Sequence, residues 1–258
     1  MKKRGQVTIF IIVAIIIVAG ALLIFSFYPQ IKTTLSGEEQ NPASFLQSCL
    51  EDKIAEATSL LSSRGGYASN SLNKTFKFTA EIAPVDISYL CYTAGYYIPC
   101  VNQEPMLIQH LRKEIKDYIS ADVENCFNQL TESLTKQGYA VHSEYNGFDI
   151  ELIENKVEVP IDGKITLSKA TGDASDYTDL NISFQSKFYD TAVVVQEIVS
   201  QQAEFCNFEF IGYMTLYPEW KIDTYRASDS TIIYSVKNEN SVDKFRFAVR
   251  GCAARPGL

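Results

Sequence analysis

The sequence predicts an α+β protein that begins with one transmembrane helix. Three observations predict it: a long apolar run near the N-terminus, stretches in which apolar residues recur every three or four positions, and runs in which apolar and polar residues alternate. Helical and alternating stretches occur in separate blocks, which is typical of α+β folds. After the transmembrane helix we therefore expect two amphipathic helices, an antiparallel β-meander, a third helix and C-terminal strands.

The first element is the apolar run from Val7 to Phe27. A helix of this length spans about 31 Å, the thickness of a bilayer's hydrocarbon core, so the run predicts a membrane span in contact with lipid. Because Lys2, Lys3 and Arg4 precede it, the N-terminus is expected in the cytoplasm. Two alternatives are signal-peptidase cleavage near Ala19-Gly20-Ala21 and a buried helix of a soluble protein. The predicted parts are a cytoplasmic basic leader (1–5), a transmembrane helix (6–28), a linker (29–41) and an extracytoplasmic α+β domain (42–258).

Three helices are predicted in that domain. The first covers about 42–64, because Asn41-Pro42 combines an N-capping residue with a proline at the first helical position. The second begins near Pro105 and carries one apolar stripe until Gly138 ends it. The third covers 190–205.

Strands are predicted within 75–98, across 139–169, over 180–184, where Leu180, Ile182 and Phe184 alternate with polar residues, and in the tail from Phe208. The stretch 139–169 predicts a β-meander, since Asn146-Gly147 and Asp162-Gly163 separate alternating runs. Such dipeptides are typical of tight hairpin turns, in which both central residues adopt positive φ.

The net charge and the absence of known catalytic motifs exclude several classes of function. The formal net charge is -8 and the pI is about 4.9, so the basic footprint of a nucleic-acid partner is missing. There is no Gly-x-Ser-x-Gly elbow, phosphate loop or dinucleotide fingerprint, and His110 and His142 are the only histidines. We expect no catalytic residue, no cofactor and no metal site.

The six cysteines predict disulfides, because they form an even set on the side where disulfides persist and no Cys-x-x-Cys pair is present. Buried free thiols are the alternative. Six cysteines allow 15 pairings, which the sequence leaves open. Our working assignment pairs Cys91 with Cys100 across a local turn, Cys49 with Cys126 between two helices, and Cys206 with Cys252.

Two further features concern the surface. Asn73-Lys74-Thr75 and Asn181-Ile182-Ser183 match the N-glycosylation pattern. Asn73 is the better candidate because it lies beside a turn, whereas Asn181 lies in a predicted strand. The segment with Tyr89, Tyr92, Tyr96 and Tyr97 is either a contact surface or part of the core.

The N-terminus resembles a known type of signal. Lys2-Lys3-Arg4-Gly5, followed by Gln6 and an apolar helix, resembles the archaeal prepilin-type (class III) signal. The opening also resembles that of membrane-anchored surface proteins of small-genome archaea. The resemblance implies cleavage between Gly5 and Gln6, with the helix retained. Phe10 stands where pilins usually carry the Glu that matches a new subunit to a growing filament.

These observations together predict a non-catalytic, single-pass cell-envelope protein that displays its domain for surface interaction or assembly. Its expected partners are the lipid bilayer, through Val7 to Phe27, and envelope or pilin-like proteins. One alternative is a pilin-like filament subunit processed after Gly5. The other is an exported hydrolase whose site is assembled from residues distant in sequence.

Overall fold

The computed structural model describes residues 41–79, 81–169 and 174–255. In these ranges the fold is α+β, and none of the helices has the length and apolar character needed to cross a membrane. The predicted fold class was wrong in including a transmembrane helix, because none is found among the described residues. The stretch from Val7 to Phe27, to which the prediction assigned the span, lies outside the described residues, as do the basic leader and most of the linker.

The described residues contain four helices where three were predicted. The additional helix lies in the tail, where we expected only strands. Its N-cap is Glu209, whose carboxylate accepts a hydrogen bond from the Gly212 N–H at 3.4 Å. A short apolar run does not distinguish helix from strand by its periodicity, which explains the wrong assignment. The helices are α1 (Pro42–Ser63), α2 (Leu107–Lys136), α3 (Phe188–Phe205) and α4 (Phe210–Leu216).

The strands form two sheets. Their bounds are β1 (Asn73–Phe76), β2 (Val85–Tyr92), β3 (Val101–Asn102), β4 (Ala140–Phe148), β5 (Glu151–Ile153), β6 (Lys156–Ser168), β7 (Ser175–Tyr177), β8 (Leu180–Gln185), β9 (Trp220–Arg226), β10 (Ile232–Asn238) and β11 (Phe245–Arg250). The larger sheet has the order β1-β2-β11-β10-β9, with β3 beside β2.

One strand pairing in the larger sheet brings two distant parts of the chain together. The last strand, β11, pairs in parallel with β2. Parallel neighbours end at the same edge of a sheet. The chain that leaves β2 therefore meets the chain that leaves β11.

The smaller sheet is not the predicted meander. The long strand β6 pairs with β4 and β5 and also with β7 and β8. The dipeptides Asn146-Gly147 and Asp162-Gly163 lie inside β4 and β6, where the register shifts and Gly147 has a φ of 127°. A Cβ on Gly163 would lie 2.8 Å from the Glu144 carbonyl oxygen. These glycines therefore serve a bulge and a close packing contact rather than turns.

The helices pack against both sheets. Helix α1 contacts β8 and β11, α2 contacts β4 and β5, and α3 contacts β10, β11 and β6. One face of β6 is buried toward the helices, while the other carries polar or partly exposed side chains. The buried residues of β6 are Val157, Val159, Ile161, Ile165 and Leu167.

Candidate functional site

Three disulfide pairs account for all the cysteines of the described residues. Each pair has a Cα–Cα distance within the range typical of disulfides, and the pairs are those of our working assignment. The distances are 6.0 Å for Cys49 and Cys126, 5.3 Å for Cys91 and Cys100, and 6.0 Å for Cys206 and Cys252. The first pair joins α1 to α2, and the third joins the end of α3 to the chain beyond β11.

The second pair closes a loop that we call the tyrosine loop, residues 93–99 between β2 and β3. The tail beyond β11 runs beside this loop, since the Tyr97 N–H donates to the Ala253 carbonyl at 3.0 Å and the Cys252 N–H donates to the Ile98 carbonyl at 2.7 Å. Because Cys252 is itself bonded to Cys206, the loop is braced by two disulfides.

The tyrosine loop exposes three large side chains. Tyr96, Tyr97 and Ile98 are 38%, 57% and 49% exposed. Tyr97 has a φ of 60°, in the left-handed region that bulky residues rarely adopt. Backbone strain of this kind persists only where the surroundings enforce it, and it occurs most often at functional sites.

Two arginines lie against this loop. The guanidinium groups of Arg250 and Arg255 lie over the Tyr96 ring, 5.5 and 5.9 Å from its centroid. Within the described part of the chain, the hydrogen bonds of the Arg250 side chain go to the backbone carbonyls of Thr93 and Asp229. Its charge is therefore not neutralised by a hydrogen-bonded carboxylate. We call Tyr96, Tyr97, Ile98, Arg250 and Arg255 the tyrosine–arginine surface.

A cleft of about 410 Å³ adjoins this surface, and Arg250 belongs to both. The cleft is also lined by Tyr92, Lys74 and Asp229. The Lys74 ammonium donates to the Asp229 carboxylate at 2.6 Å. Burial alone would raise the pKa of Asp229, but hydrogen bonds from Lys74 and Thr231 outweigh it and hold this pKa below its usual value.

This lowered pKa predicts a dependence of stability on pH. A carboxyl group with a depressed folded-state pKa stabilises the fold above its unfolded pKa of about 4, and the stabilisation is lost as the pH falls through the folded value. Asp229→Asn should therefore lower the melting temperature at pH 7 and have little effect near pH 2, as measured by thermal denaturation. An equal loss at both pH values would contradict this origin.

One part of the tyrosine-rich segment is buried and another part is exposed. Tyr89 is buried, and its hydroxyl lies 2.9 Å from the Thr231 hydroxyl. Tyr96 and Tyr97 are exposed. The core interpretation therefore holds for Tyr89 in β2, whereas Tyr96 and Tyr97 in the loop after it are outside the core.

Two larger clefts contain polar groups that pair with one another. In the first, of about 670 Å³, the Lys187 ammonium donates to the Asn155 side chain, and Gln47 donates to the Ser183 carbonyl at 3.2 Å. In the second, of about 650 Å³, Lys116 pairs with Asp149 at 3.4 Å. Neither cleft presents exposed aromatic side chains comparable with those of the tyrosine loop.

His110 belongs to a partly buried polar cluster. Its Nε2 lies 2.9 Å from the Gly66 carbonyl oxygen, and its ring is 4.3 Å from that of Tyr67. The Tyr67 hydroxyl donates to Glu104 at 2.5 Å. Burial and this bond to a carboxylate raise the pKa of Tyr67. The cluster joins the end of α1 to the start of α2, so its evident role is to hold these two helices.

The remaining predicted positions are distributed over the chain. Gly5 and Gln6 lie outside the described residues. Asn73 begins β1, and Asn181 lies in β8. In the part of the chain that the structure describes, no three His, Cys, Asp or Glu side chains are arranged to hold a metal ion.

The arginines of the tyrosine–arginine surface were not found from the sequence. Arg250 follows Tyr96 by more than 150 positions, and only the parallel pairing of β2 with β11 brings the two together. No local motif marks either arginine. Comparison with known proteins finds no matching family model, no matching curated protein and no matching solved structure.

Proposed function

We propose that this chain contains a non-catalytic interaction domain that acts outside the cytoplasm and binds a protein partner through the tyrosine–arginine surface. The observation that carries the proposal is the exposure of Tyr96, Tyr97 and Ile98 on a loop braced by two disulfides. The location is supported by the pairing of all six cysteines, since disulfides persist mainly in oxidising compartments.

The composition of the surface favours a protein partner. Tyrosine and arginine are enriched at protein interfaces and among the residues that contribute most to binding. Tyrosine offers a large contact area while losing little conformational entropy. The disulfides fix the loop before binding, which reduces the entropic cost of association.

The charge of the surface favours an acidic partner. Arg250 and Arg255 lie together over one ring, in a chain whose net charge is -8. Like charges brought together at an interface oppose binding, whereas opposite charges also accelerate association. We therefore expect the partner to present carboxylates to the two guanidinium groups.

Photo-crosslinking in the cells that make the protein tests the proposal. A photoreactive residue in place of Tyr97 should give a discrete crosslinked protein, while the same residue in place of Tyr217, which is 47% exposed and lies after α4, should not. Tyr97→Ala should then weaken the affinity for that partner about 30-fold, the loss typical of a dominant interface residue. Tyr217→Ala should leave the affinity unchanged.

The Kd values can be measured by titration calorimetry with the purified partner. Equal crosslinking at positions 97 and 217, or none at either, would contradict the assignment of the surface. An affinity for the partner that is unchanged by Tyr97→Ala would also contradict this assignment.

A further inference from the structure

The second sequon lies on the outer face of the smaller sheet. Along β8, Leu180, Ile182 and Phe184 are buried toward the helices, while Asn181 points to the other side and is exposed. Asn181 pairs with Pro160 of β6, on the face of that strand whose side chains are polar or partly exposed. A large hydrophilic group on the Asn181 amide would extend into solvent without displacing a core residue.

The side chains of this sequon are available. Besides the backbone ladder between β8 and β6, the described hydrogen bonds use the Asn181 backbone N–H, which donates to Asp179, and the Ser183 carbonyl, which accepts from Gln47. None of these bonds involves the Asn181 amide or the Ser183 hydroxyl, the two groups that define the sequon.

The first sequon is engaged in the fold. The Asn73 amide donates to the Asn70 carbonyl at 2.6 Å, and the Thr75 hydroxyl donates to the Asp86 carboxylate at 2.5 Å. A glycan on Asn73 would have to be accommodated beside both contacts. These side-chain contacts favour Asn181, whereas the turn beside Asn73 favoured Asn73 in the sequence.

We propose that Asn181 is the N-glycosylation site of this protein. The proposal rests on the proposed location outside the cytoplasm, where a lipid-pyrophosphate-linked oligosaccharide is the glycan donor. In the transfer, a bond forms between the Asn181 Nδ2 and the anomeric carbon of the first sugar. The bond between that carbon and the pyrophosphate oxygen breaks, and the amide loses one proton. The lipid pyrophosphate leaves, and no oxidation or reduction occurs.

Mass spectrometry of the protein isolated from the cells that make it tests this proposal. Trypsin releases Asn181 in the peptide 170–187 and Asn73 in the peptide 65–74. We expect the first peptide to carry the added mass of a glycan and the second to have the mass of its amino acids. Asn181→Gln and Ser183→Ala should each remove the added mass, and Asn73→Gln should not.

A thiol count on the same unfolded, unreduced sample separates two ways of failing. An unmodified peptide 170–187 in a protein without free thiols would overturn the glycosylation of Asn181 and leave the proposed location standing. Six free thiols would overturn the location and, with it, the glycosylation. A glycan on Asn73 alone would overturn the choice of Asn181.

Discussion

Replacing both Cys49 and Cys126 by alanine should lower the free energy of unfolding by about 4.5 kcal/mol. The bond closes a loop of 77 residues, so in the chain-entropy account it removes more freedom from the unfolded chain than a shorter crosslink does. It also joins α1 to α2, whose apolar stripes supply much of the core. Urea denaturation of the two proteins, with a common slope, measures the difference.

The matched control is the double variant Cys91→Ala with Cys100→Ala. Its bond spans only nine positions, and the expected loss is about 2.5 kcal/mol. A domain of this size buries a core of its own, so both variants should still fold cooperatively. A larger loss from the short loop than from the long one would contradict the entropic account.

Phe247→Ala should cost about 3–5 kcal/mol, the range observed when a fully buried aromatic side chain is removed. Phe247 is 0% exposed and lies in β11, at the centre of the larger sheet. Its ring stacks on that of Tyr234 with centroids 5.2 Å apart. The loss combines the transfer free energy of the ring with the cavity left beside a strand that has neighbours on both sides.

The control for this substitution is Phe205→Ala at the end of α3. Phe205 is 64% exposed, so its removal should change the free energy of unfolding by less than about 0.5 kcal/mol. Denaturation of the two variants under the same conditions checks both values. Similar losses at positions 205 and 247 would show that burial in β11 does not determine the cost.

Local signals predicted the long helices because apolar periodicity and end signals are properties of neighbouring residues. The stripe from Leu107 to Leu134 corresponds to α2, and Asn41-Pro42 marks the start of α1. Another local signal, the Asn-Gly dipeptide, led to the wrong assignment of Asn146-Gly147 as a turn. Glycine permits a positive φ in a bulge as readily as in a hairpin, and only the pairing with β6 distinguishes the two.

The sequence by itself determined the α+β class of the domain, its three long helices, the alternating strands and an even set of cysteines suited to an oxidising compartment. Only the tertiary structure decided which of the tyrosines and which of the two sequons are exposed. The parallel pairing of β2 with β11 places Arg250 over Tyr96. The orientation of β8 in the smaller sheet buries Leu180 and Ile182 and leaves Asn181 exposed to solvent. Contacts between residues so far apart in sequence depend on strand order and register, which no local pattern encodes.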